Sequence, residues 1–119
     1  MEYKEHNALT KFKQEQLVSR REQLEQMLVD SPEDSFLRYA LAMELANEEQ
    51  HDRSIELYKG LMADDPPYVP AFFMLGQQLT KLDRIDEART ALNDGIVQAR
   101  EQNDMHAAGE MTEFLQSLE

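Results

Sequence analysis

The sequence predicts an all-α fold made of helix hairpins, and three observations carry that prediction. Apolar residues recur at three- and four-residue spacing through six successive segments. Turns rich in acids or proline separate those segments, and the pattern repeats after a shift of 34 residues. No segment keeps the alternation of a strand beyond a few residues.

Each element has its own signal. Residues 8–29 lack Gly and Pro and are rich in Gln, Glu, Leu, Lys and Arg, which predicts one long N-terminal helix with a stripe of Leu17, Leu24, Met27 and Leu28. Leu9 and Phe12 sit among polar residues, so its first half is the less well packed. Asp30, Ser31 and Pro32 stop it, because proline disfavours helical geometry in the preceding residue. Leu37, Ala40, Leu41 and Leu45 mark a second helix ending near Asn47, with Asp34 or Ser35 as its N-cap. Ile55, Tyr58, Leu61 and Met62 mark the third, ended by Asp64, Asp65, Pro66 and Pro67.

Residues 68–82 form the fourth, with Pro70 in its first turn and Phe72, Leu75, Gly76 and Leu79 on one face. Beyond Asp83 and Arg84, the fifth runs from Ile85 to about Arg100 through Ala88, Ala91, Leu92, Gly95 and Ile96. The sixth carries Ala108, Met111, Leu115 and Leu118. The expected layout is a single domain over residues 1–119: an N-terminal helix (1–31), two hairpins (35–66 and 69–100) and a C-terminal capping helix (104–119).

The 34-residue shift superposes Pro32 on Pro66, Leu41 on Leu75, Ala42 on Gly76, Leu45 on Leu79, Ser54 on Ala88 and Tyr58 on Leu92. The second unit, AFFMLGQQLTKLDRIDEARTAL, closely resembles the tetratricopeptide repeat, with Phe72 at the bulky aromatic position, then Leu75, Gly76 and Ala88. The first unit departs from that pattern: Arg38 stands for the aromatic, Ser54 for alanine and Leu61 for alanine or glycine. The layout is similar to short bacterial proteins of two such repeats with flanking helices. Hairpin packing needs small residues, so Gly76 is expected to face Ala88, and Ala42 to face Ser54. Leu41, Leu45, Tyr58, Phe72, Leu75, Leu79 and Leu92 complete the packing set. The resemblance implies a right-handed superhelix capped at both ends.

It also implies a job. Tetratricopeptide arrays bind peptides in the groove lined by the first helix of each pair, which places Tyr39, Met43, Ala46 and Asn47 beside Phe73, Gln77, Thr80 and Lys81. The apolar members suit an apolar side-chain ridge. The other reading is that the terminal helices cover them. The cationic set that clamps a carboxylate in some members is missing, since Asn47 and Lys81 alone do not make it.

Composition narrows the remaining functions. Twelve basic against 24 acidic residues give a net charge of −12, and residues 1–30 are nearly neutral with five basic and six acidic side chains. Nucleic acid and anionic membranes are therefore poor partners. No stretch is long and apolar enough for a membrane span, the N-terminus lacks the apolar core of a secretory signal, and there is no Cys. A cytoplasmic address is expected. His6, His51 and His106 lack ligand spacing, so no metal or cofactor is expected. The carboxylate pairs Glu48/Glu49, Asp64/Asp65 and Asp86/Glu87 fall in turns or first helical turns, and no GxSxG, phosphate loop or HExxH motif is present. With the protein-binding role that the resemblance implies, these features predict an interaction module without catalytic activity, or alternatively a self-associating subunit of a larger assembly.

Overall fold

The computed structural model describes residues 19–119, which form six α-helices and no strand. They are α1 (Arg20–Asp30), α2 (Ser35–Asn47), α3 (His51–Met62), α4 (Val69–Lys81), α5 (Ile85–Glu101) and α6 (Met105–Gln116). Two hairpins, α2–α3 and α4–α5, stand between α1 and α6.

Local chemistry sets the boundaries. Ser19 is extended (φ −64°, ψ 155°) and its side chain accepts a hydrogen bond from the Glu22 N–H, so α1 starts at Arg20. The sequence instead carries that helix back to Ala8 unbroken; the capping geometry of a serine three residues before a glutamate explains the difference. Leu17 and the first half of the expected helix lie outside the described residues. Met27, expected on the stripe, is 53% exposed, while Leu24 is buried and Leu28 packs beside it. Asp34, rather than Ser35, caps α2, accepting from the Leu37 N–H at 2.9 Å.

Three turns share one device. The N–H groups of Gln50, Arg84 and Asp104 reach back to the carbonyls of Leu45, Leu79 and Ala99 at 2.8, 2.8 and 2.7 Å. This closure puts Glu49, Asp83 and Asn103 in the left-handed region at φ 61°, 59° and 62°. None of the three is glycine, and Glu49 carries the most strain because Asp and Asn adopt this region more readily.

The core has three parts. Leu24 of α1 meets Leu37, Ala40, Leu41 and Leu45 of α2. Ala42, Ile55, Tyr58, Leu61, Ala71, Leu75 and Leu79 join the two hairpins. Val69, Phe72, Leu92, Ile96 and Ala99 receive Ala108 and Met111 of α6. All the residues expected to pack the repeats are buried. A Cβ on Gly76 would lie 2.7 Å from Leu92 Cγ, so Gly76 makes room for Leu92, one helical turn beyond Ala88.

The departures in the first repeat compensate one another. In the second repeat a Cβ on Gly95 would lie 2.5 Å from Phe72 Cβ, so glycine makes room for the aromatic. At the equivalent pair, Leu61 is fully buried and the half-buried Arg38 pairs its guanidinium with Asp64. A large residue has moved from one helix to the other, which conserves volume between them.

Candidate functional site

The inner face of the hairpins holds a pocket of about 160 Å³ between α2 and α4. Met43, Ala46 and Asn47 line it from α2, and Met74, Gln77, Gln78 and Lys81 from α4, with His51 and Tyr58 of α3 closing its floor. The helical period explains the set: Met43 and Asn47 are one turn apart on α2, as Gln77 and Lys81 are on α4.

Of the groove residues expected from sequence, Met43, Ala46, Asn47, Gln77 and Lys81 come together here. Tyr39 and Phe73 do not. Tyr39 is half-buried, with ring centroids 6.2 Å from Tyr58 and 5.5 Å from Tyr68. Phe73 meets Phe114 of α6 edge-on at 5.8 Å. The sequence places both rings in the groove, but neighbouring apolar residues use them as packing: the inter-repeat core takes Tyr39, and the C-terminal helix covers Phe73. Thr80 bonds the Gly76 carbonyl at 2.8 Å and does not line the pocket.

His51, Tyr58, Met74 and Gln78 are site residues that groove alignment misses. A chain of polar contacts holds three elements here. Ser54 Oγ donates to the Ala42 carbonyl at 2.6 Å and lies 3.2 Å from Gln78 Oε1, while Gln78 Nε2 is 3.0 Å from His51 Nδ1. Ser54 was the visible signal, because a buried hydroxyl at an alanine position requires polar partners. Gln78 crosses from the second hairpin to supply one, and is itself buried.

The pocket's electrostatics are mild. Its lining contains no carboxylate and one cation, Lys81, which makes no ion pair among the described residues. Burial, and secondarily the neighbouring Tyr39, pushes the Tyr58 hydroxyl far above the usual phenol range, so it stays protonated. Desolvation likewise raises Tyr39. No carboxylate pair or activated nucleophile faces the cavity, and no group of three or more metal-ligating side chains occurs among the described residues. What the arrangement offers is a small thioether and aromatic floor bordered by amides that can donate and accept.

A wider hollow of about 690 Å³ opens where the turns between hairpins meet, bordered by Glu33, Asp64, Asp65 and Asp104 and walled by Pro66, Pro67 and Pro70. Its cation, Arg38, is held by Asp64 and the Glu33 carbonyl. No described helix is long and apolar enough to cross a membrane.

The tetratricopeptide repeat family model matches residues 45–110. A tetratricopeptide repeat domain protein from Salinibacter ruber, solved in solution, is 35% identical, with 74% of this chain and 89% of that chain covered at a TM-score of 0.69. A crystal structure of a tetratricopeptide repeat domain protein from the same organism gives 34% identity, 72% and 96% coverage and a TM-score of 0.65. A protein from Bordetella parapertussis, solved in solution, is 28% identical, with 86% and 89% coverage and a TM-score of 0.72. No curated protein matches the chain. The family match over more than half the chain and the shared hairpin geometry agree: this chain belongs to the tetratricopeptide repeat family, whose domains mediate protein–protein interactions.

Proposed function

We propose that this chain is a non-catalytic interaction module that takes an extended peptide into the pocket between α2 and α4. The observation that carries the reading is the convergence of Met43, Asn47, Gln77 and Lys81 around one concave, carboxylate-free hollow in an otherwise acidic molecule. One apolar side chain of the peptide sits against Met43, Met74 and Tyr58. Asn47 and Gln77 exchange hydrogen bonds with its backbone, since each amide offers both a donor and an acceptor. Lys81 favours a carboxylate at that end, and the acidic surroundings favour basic residues further along. The absence of Cys and the acidic composition suit a cytoplasmic setting.

The test is a calorimetric titration of a partner isolated from the native cell. Met43→Ala with Gln77→Ala is expected to weaken binding about tenfold or more, as the loss of an apolar anchor and a backbone bond implies. Melting temperature should hold within a few degrees, because Met43 is exposed and Gln77 half-exposed. Unchanged affinity would place the partner elsewhere. Sedimentation separates this reading from a self-associating subunit: a monomer at all concentrations keeps the pocket for other proteins.

A further inference from the structure

We propose that α1 is a releasable cover, clasped to the first hairpin largely by ion pairs, which opens from the apolar face of Leu37, Ala40, Leu41 and Leu45 as ionic strength rises. Three observations carry this. First, α1 has a single buried side chain, Leu24, and the half-buried Leu28 beside it, and its backbone approaches no described helix but α2. Every other described helix is packed against at least two neighbours or carries several further apolar contacts. Second, ion pairs join α1 to α2 and α3. Arg21 Nε donates to Glu48 at 3.0 and 3.2 Å, and within α1 Arg21 Nη1 donates to Glu25 at 3.1 Å. Arg53 of α3 reaches Glu25 at 3.1 Å, and Arg20 lies 3.6 Å from Glu44. These pairs lie at the surface, where added salt screens them. Third, the cap of α2 does not depend on the hinge. Asp34 caps α2 from within, so opening at Ser31, Pro32 and Glu33 leaves α2 capped.

With so little apolar anchoring, the clasp is a large share of what holds α1, and the local opening free energy is the lowest of the described helices. Release bares four α2 residues that are all below 10% exposed in the closed state. The rest of the molecule moves the other way, because salt relieves repulsion among its excess carboxylates.

Hydrogen exchange of the full chain, followed by mass spectrometry at about 20 mM and about 500 mM NaCl, tests this. The amides of α1 are expected to exchange roughly tenfold faster or more at the higher salt, while those of α4 and α5 change less than about twofold. Glu25→Gln, at a surface position that should not affect folding, removes the carboxylate shared by Arg21 and Arg53. It is expected to speed α1 exchange at low salt and to blunt the salt response. Leu24→Ala should open α1 at both salts. Exchange of α1 as slow as that of α4 at both salts would overturn the proposal, and so would a salt response untouched by Glu25→Gln.

Discussion

Glycines that look alike in the sequence differ in what surrounds them. A Cβ on Gly95 would lie 2.5 Å from Phe72 Cβ and 2.6 Å from Met111 Sδ, and one on Gly76 would meet Leu92 at its branch point. Gly95→Ala and Gly76→Ala are each expected to destabilise by about 1–3 kcal/mol, the usual cost of overpacking. Gly76→Leu should cost more. Gly60 and Gly109 have nothing within 4 Å, so alanine there should stabilise by about 0.5–1 kcal/mol through helix propensity alone. Thermal melts of the four alanine variants check both signs. Tyr58 gives a pH dependence. Its hydroxyl is raised by burial, so the folded chain keeps a proton that the unfolded chain loses near the ordinary value of 10.0. That contribution is complete below about pH 10 and is lost as pH climbs toward the folded value. Stability should therefore fall above about pH 10. In Tyr58→Phe denaturant titrations should show a shallower alkaline decline.

At the scale of elements, the three left-handed turns invite a direct comparison. Glu49 has a long side chain in a conformation that favours glycine or asparagine, whereas Asn103 already has a suitable type. Glu49→Gly is expected to stabilise by about 0.5–1 kcal/mol and Asn103→Gly by little, read from urea midpoints. The buried polar chain gives the opposite sign. Ser54→Ala restores the family residue yet removes the hydroxyl that donates to the Ala42 carbonyl and lies beside the buried Gln78 amide. It should destabilise by about 1–3 kcal/mol despite its small size, and equilibrium unfolding would show it.

Across the whole molecule, net charge dominates. With −12 charges on 119 residues, the folded state repels itself at low salt. The global melting temperature is expected to rise by a few degrees between about 20 and 200 mM NaCl, as screening sets in over a Debye length of about 10 Å. Calorimetry measures this, and a falling temperature would mean that ion pairs such as Arg38 with Asp64 outweigh the repulsion. The same acidity gives any basic partner a salt-dependent association rate.

Periodicity, proline-marked turns and the 34-residue repeat determined the described helices and their order, because these depend on contacts a few residues apart. The residues of the packing set from Leu41 to Leu92 all lie buried. Tertiary structure alone decided what each small or aromatic residue meets. Gly76 faces Leu92, and Arg38 and Leu61 trade volume where Phe72 and Gly95 do the reverse. Tyr39 and Phe73 were aligned with the groove, but Tyr68 and Phe114 claim their rings, and no local pattern records how a terminal helix folds back. His51 and Gln78 entered the site from positions that look like a turn and a solvated face. Side-chain partners 24 or more residues apart are set by how hairpins stack, and stacking depends on shape complementarity that periodicity does not encode.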